Sequence, residues 1–318
     1  MAKLAIIGTG FVGTSLGLAV RPAKLFEHVA GYDVERSCSQ VARDRGAIDS
    51  IGANVRAAVK DAAVVVVAVP DRELPGVFRE LADGLLPGSI ISDTSTWKLP
   101  AVKSAAATLP VGVHFISGRP VLDSHGHGPD EGRGSVFAGA IYCLTPGIDA
   151  AEDAIDSLSA MVSAIGAQPY FLSAEEHDGL TGATELLPRL VSAALLMGLT
   201  RQTAWPEAGR LAAEPFNGWV RLLEDQVGPP FWQDVRENHG ALDSWIDAAV
   251  SQLLDLRRQL DDTGEATLKE AWKATQEALD QWRKTKRQLR EGTMPPLSEM
   301  RPHLLGSQAA LRRLRKPR

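Results

Sequence analysis

Short apolar runs recur through the first half of the chain at Leu4–Ile7, Val29–Tyr32, Ala63–Val69, Ile90–Ser92, Val111–Phe115 and Ala140–Leu144, with helical segments between them. Regular alternation of strand and helix predicts a parallel, doubly wound sheet. The continuous run Val64-Val65-Val66-Val67 is what a strand covered on both faces requires. After Tyr170 the pattern changes. Strand signals almost vanish, and long helical stretches take over at Ala174–Thr200, Pro230–Asp261 and Gly264–Arg290. Six of the seven tryptophans fall in this half, as anchors between helices or at a subunit interface.

The first apolar run leads into Gly8-Thr9-Gly10-Phe11-Val12-Gly13, a Gly-x-Gly-x-x-Gly turn opening a helix. Each glycine has a mechanical reason: Gly8 for the tight turn, Gly10 for approach of backbone to a pyrophosphate, Gly13 for helix-on-strand packing. The helix start offers unpaired N–H groups and a positive dipole end. Asp33 closes the next strand 20 residues after Gly13, where an acid reads the ribose 2′-hydroxyl. The expected cofactor is NAD rather than NADP, although Arg36 lies nearby.

At 318 residues with two cysteines and a net charge of −5, the chain reads as a soluble two-domain protein of a reducing cytoplasm, with nucleic acid disfavoured as a partner. The longest apolar run, Ala62 to Pro70, is strand-sized, so no membrane partner is expected. The N-terminus runs straight into the first strand and leaves no room for a signal peptide. From Arg283 to Arg318, eleven basic residues face only Glu291 and Glu299, which reads as a solvated helix end followed by a mobile tail.

Ligands of open α/β sheets lie beyond the carboxyl ends of the strands. Val69, Pro70 and Asp71 end the valine strand, Thr94 and Thr96 follow the next, and His114 closes Val111-Gly112-Val113. A histidine there would take a hydroxyl proton near neutral pH while the carbon gives hydride to NAD, and Thr96 would hold the same oxygen. The cofactor would touch Gly8, Gly10, Phe11, Val12, Gly13, Asp33, Val69, Pro70, Asp71 and Thr94. Ser124-His125-Gly126-His127-Gly128 reads as a lid; no metal site is expected.

Gly31-Tyr32-Asp33, Arg43 to Asp49, Asp93 to Lys98, His114 to Gly118 and Glu175-Glu176-His177-Asp178, in this order, resemble the prephenate and arogenate dehydrogenase family over most of residues 1–290. The resemblance implies oxidation of a cyclohexadienyl acid's ring hydroxyl with loss of CO2. It places the catalytic histidine of the family's His-Pro-x-x-Gly motif at His114, with Phe115 in place of the proline. Thr96 stands at the serine of Asp-x-x-Ser-x-Lys, and Asp93 and Lys98 shape that loop. Where the family commonly reads Ser-His-Leu-Pro-His, this chain has Glu185-Leu186-Leu187-Pro188-Arg189. Arg189 would clamp a substrate carboxylate or simply pair with Glu185. Arg221 is the first match for a further substrate arginine, with Arg210 second. His177-Asp178 suits a packing or capping role.

The reading is therefore an α/β protein: a Rossmann-type doubly wound parallel sheet (residues 1–170), an all-helical substrate and dimerisation domain (171–290), and a basic tail (291–318). The expected substrate is a small cyclohexadienyl acid held in a cleft between domains, and the expected assembly is a homodimer through the helical domain. The alternatives are a related dehydrogenase for another hydroxy acid and an NAD-binding regulator without catalysis.

Overall fold

A computed structural model describes residues 2–123, 126, 128–224, 229–261 and 265–290. The described chain divides into two compact units, residues 2–174 with 278–290 and Glu175–Glu277. The basic stretch 291–318 lies outside the described residues.

The first unit is built on an eight-stranded sheet. Its strands are β1 (Ala2–Ile7), β2 (Phe26–Tyr32), β3 (Ser50–Ile51), β4 (Val64–Val67), β5 (Ile90–Asp93), β6 (His114–Val121), β7 (Ile141–Pro146) and β8 (Gln168–Phe171), in spatial order β3-β2-β1-β4-β5-β6-β7-β8. Helices α1 (Phe11–Ala23), α2 (Arg36–Asp44), α3 (Val55–Val59), α4 (Leu74–Ala82), α5 (Lys98–Thr108) and α6 (Glu152–Ala164) connect them. The order reverses at β1 and β4, the switch point at which such sheets bind ligands. From β3 to β6 every pair is parallel, whereas β6 and β7 run antiparallel.

The valine strand divides its side chains between two layers. Val64 and Val66 join Leu4, Ile6 and Leu16, while Val65 and Val67 join Ala5, Ile7 and Phe78. Full burial of each such side chain contributes about 1.5–3 kcal/mol, which explains why the run has no polar alternation. The strand expected at Val111–Phe115 starts later and runs longer. Gly112 takes φ +92° in a turn and Val111 is fully exposed, so the ladder begins at His114 and continues to Val121. The short strands β3 and β8 have no counterpart among the expected strands.

The second unit is helical: α7 (Ala174–Thr181), α8 (Leu187–Thr200), α9 (Trp205–Arg210), α10 (Glu214–Glu224), α11 (Pro229–Glu237), α12 (His239–Asp261) and the first part of α13 (Glu265–Arg290). The single helix expected over Ala174–Thr200 is interrupted by a π turn at Gly182–Leu186, closed by the Leu187 N–H on the Gly182 carbonyl. Pro188 follows immediately; it has no N–H for residue 184 and its ring crowds that carbonyl, which favours a widened turn. This 27-residue stretch, with mean hydropathy 1.2 over its most apolar window, is long and apolar enough to cross a membrane by length and composition. The expectation that no segment reaches that length is corrected accordingly.

Candidate active site

Two close approaches fix the glycine turn. Gly8 has φ +90°, and a Cβ on it would lie 2.3 Å from the Ala68 carbonyl oxygen. A Cβ on Gly13 would lie 1.9 Å from the Gly8 oxygen, so α1 could not start where it does with any side chain there. Gly10 is different: its Cβ would meet nothing within 4 Å. The protein leaves open space beside Gly10 at a helix N-terminus, the shape and polarity a phosphate needs. Asp33 lies across the turn. Its carboxylate accepts from the Thr9 N–H at 2.7 Å and the Glu35 N–H at 2.9 Å, which fixes its orientation at the end of β2. Phe11 is buried and Val12 half-buried at the start of α1.

At the ends of β4 and β5 the chain is tied crosswise. Asp71, just beyond Val69 and Pro70, accepts from the Thr96 N–H at 2.9 Å and the Trp97 N–H at 3.1 Å. Burial pushes its carboxyl above the usual carboxylate value despite these donors and the nearby Lys98 charge. Asp71 thus caps the entry to α5 and holds the loop bearing Thr94 and Thr96, both half-buried. Beneath them Asp93 and Lys98 form a fully buried knot. Lys98 Nζ donates to Ser95 Oγ and Ser117 Oγ, each at 3.0 Å, and to the Gly118 oxygen at 2.6 Å. Asp93 accepts from Ser117 Oγ at 2.6 Å, from the Gly118 N–H at 2.9 Å and from the Ser95 hydroxyl. Burial lowers the Lys98 pKa, and the Asp93 charge holds that fall back. The loop-shaping role read for this pair matches its geometry.

His114 is not at this end of the sheet. It pairs with Ile90 at the start of β5, whereas Thr96 follows Asp93 at the other end, three residues or about 10 Å along the strand. Its Nδ1 accepts from the Ala151 N–H at 3.3 Å, at the start of α6. The expected meeting of His114 and Thr96 is therefore not formed, because the turn at Gly112 moves the histidine to the beginning of its strand. The residue that does emerge at the carboxyl end of β6 is Arg119, directly after the Gly118 held by Asp93 and Lys98. Arg119-Pro120 supplies the proline that Phe115 lacks in the His-Pro pattern, with arginine in the histidine's place. The fifth position counted from Arg119 is Asp123, whereas the His114 placement has its glycine at Gly118, so each placement keeps one part of the pattern.

The described part of the connection from β6 to β7 lies against the start of α1. Arg45 donates to the carbonyl oxygens of Pro129 at 2.7 Å and Gly132 at 2.6 Å, and to that of Asp130, while the Arg133 N–H donates to Ser15 Oγ at 3.0 Å. A Cβ on Gly126 would lie 2.3 Å from the Phe11 ring. Ser124, His125 and His127 lie outside the described residues. In the helical unit, Arg189 pairs with Glu185 at 3.7 Å, the i,i+4 pairing its sequence allows. Arg221 is largely exposed and pairs with Glu214 at 3.6 Å; Arg210 is exposed at the end of α9. His177 and Asp178 are buried, with Nδ1 and Oδ1 3.0 Å apart.

Sheet order, glycine turn and acid at the end of β2 define a Rossmann-type nucleotide-binding domain followed by a helical domain. Residues 16–171 match the family model "Prephenate dehydrogenase, nucleotide-binding domain", and residues 173–274 match "Prephenate dehydrogenase, dimerization domain". The chain belongs to the prephenate dehydrogenase family. Cyclohexadienyl dehydrogenase of Zymomonas mobilis is 28% identical over 86% of this chain and 94% of its own. Prephenate dehydrogenase of Bacillus subtilis is 28% identical over 72% of this chain, a match that spans 62% of that relative's length. Arogenate dehydrogenase of Synechocystis superposes with TM-score 0.76 at 21% identity, covering 88% of this chain and 99% of its own. Prephenate dehydrogenase of Aquifex aeolicus, in complex with hydroxyphenyl propionate and NAD+, gives 0.76 at 20% identity, covering 88% and 98%.

Proposed function

We propose that the protein binds NAD and catalyses the oxidative decarboxylation of prephenate or arogenate, forming the aromatic phenol from which tyrosine derives. The observation that carries this reading is the pair of family domains in sequence, joined to a turn whose open side at Gly10 and oriented acid at Asp33 suit a dinucleotide. Asp33 would accept from the adenosine ribose hydroxyls and repel a 2′-phosphate, which favours NAD over NADP. The N-terminus of α1 would face the pyrophosphate, with Val69, Pro70 and Thr94 beside it at the sheet's carboxyl end.

When bound, the coenzyme accepts hydride from the ring carbon. The chain's own residues position that event: Thr96, on a loop fixed by Asp71, would hydrogen-bond the ring oxygen, and the buried Asp93–Lys98 knot keeps β5, α5 and β6 in register beneath it. We assign the assembly as a homodimer through the helical unit, where α12 leaves Leu253, Leu256 and Leu260 exposed at helical spacing. The free thiols of Cys38 and Cys143 suit a reducing cytoplasm. Purified protein mixed with NAD+ and prephenate or arogenate should produce NADH absorbance; turnover of neither acid overturns the reading.

A further inference from the structure

We propose that Arg119 binds the substrate's ring oxygen and works there as a fixed cation. The proposal rests on the dehydrogenase reading above and names a catalytic residue for it.

Strand alternation puts Arg119 on the same face of β6 as Phe115 and Ser117. Ser117 on that face bonds both Asp93 and Lys98, so Arg119 is the next side chain outward from the knot, half-buried at the sheet's carboxyl end. Directly across the antiparallel pair lies Cys143. Burial lowers the Lys98 pKa and raises that of Cys143, and the Arg119 charge lowers both, in keeping with the pairing of Arg119 and Cys143 across β6 and β7. Among the described residues of this unit the histidines are His28 and His114, and both lie toward the amino ends of their strands. The cluster facing the reacting end therefore comprises Arg119, Lys98, Asp93, Asp71, Cys143 and the hydroxyls of Thr94 and Thr96.

A guanidinium cannot accept a proton at any working pH, but the reaction needs no net acceptor. The ring C–H departs with its electron pair as hydride to NAD+, which becomes NADH, and the hydroxyl proton passes to water. The bond to the ring carboxylate then breaks, CO2 leaves, and its electron pair runs through the ring to the oxygen. The resulting phenolate regains a proton from water. The same oxygen is thus anionic before hydride leaves and again after CO2 leaves. A preorganised cation beside it stabilises both states.

Initial rates with NAD+ and prephenate or arogenate, measured from about pH 5 to about pH 9, separate a cation from a base, because a histidine base titrates near ~6.5. Wild type should show no limb in that region, and Arg119→Gln should lose on the order of 10²-fold in kcat. Arg119→Lys should retain more than Arg119→Gln, Arg119→His should acquire an acidic limb near ~6.5, and His114→Ala should behave as wild type. A binding readout is independent of turnover: 3-(4-hydroxy-3-nitrophenyl)propionate, bound with NAD+, should have its phenol pKa lowered by about one unit or more in wild type and not in Arg119→Gln. An acidic limb in wild type that disappears in His114→Ala, with Arg119→Gln unimpaired, overturns this inference and leaves the dehydrogenase reading standing. Turnover of neither acid, together with no binding of the nitrophenol, overturns the reading itself.

Discussion

The backbone N–H of Gly118 donates to Asp93 Oδ1 at 2.9 Å, deep in the sheet and out of reach of water. This bond, with the Lys98 ammonium on the Gly118 oxygen, sets how far β6 advances past β5 and hence which residue stands at the mouth. Lys98→Met leaves the Asp93 carboxylate buried without its counter-charge, which should cost about 3–5 kcal/mol. Urea denaturation followed by tryptophan fluorescence measures it; a loss below ~1 kcal/mol would contradict the account.

Gly10 and Gly13 should fail in opposite ways. Gly13→Ala drives a methyl into the Gly8 carbonyl, backbone against backbone, and should destabilise the fold by about 2 kcal/mol or more. Gly10→Ala meets no protein atom, so its stability should change by less than ~1 kcal/mol. Its NAD affinity should nevertheless drop, because the methyl fills the space that a pyrophosphate would use. Thermal melts compared with fluorescence titration of NADH distinguish the two.

Asp33 is held by two backbone donors in one orientation, so the discrimination it provides is electrostatic and directional. Asp33→Ala should weaken NAD binding on the order of tenfold while leaving NADP binding unchanged or stronger. Parallel titrations with the two coenzymes test this. An equal loss for both would remove Asp33 from ribose recognition.

Acid stability has a marker at Asp49. Burial alone would raise its pKa, but the Arg21 hydrogen bond at 2.8 Å and the Val29 N–H outweigh it and hold the carboxyl below its usual value. A depressed carboxylate pKa stabilises the fold above the unfolded value of about 4 and loses that contribution as pH falls through the folded value. The group is partly exposed, so the effect should be on the order of 1 kcal/mol. Asp49→Asn should be less stable than wild type at neutral pH, and the gap should close as pH falls through the depressed folded-state value.

Leu253, Leu256 and Leu260 present an apolar row on α12 that no described residue of the chain covers fully. Leu256→Glu places a charge in that row and should convert the proposed homodimer to monomer, as sedimentation velocity would show. A monomeric wild type would refute the assembly.

Much of this was legible because the determining contacts are short in sequence. Gly8, Gly10 and Gly13 answer to one turn, and the valine strand answers to burial on both faces, so local pattern suffices for both. The far end of the site was not legible in the same way. Val111-Gly112-Val113 has the composition of a strand, yet the positive φ at Gly112 makes it a turn, and that displacement puts His114 at the amino end of its strand. The position of Arg119 follows from register, through Asp93 and Gly118, two residues separated by 25 positions. Likewise Pro188 is plain in the sequence, but the π turn before it depends on how the helix relieves the missing donor.

Because β7 runs opposite to β6, the chain leaving Val121 must return to Ile141 along the very rim where the glycine turn opens. That connection is anchored by Arg45 and Ser15 rather than by the ladder. Evolution can therefore lengthen or rewrite it without disturbing a single strand pairing, giving this lineage a place to acquire new selectivity on an unaltered frame.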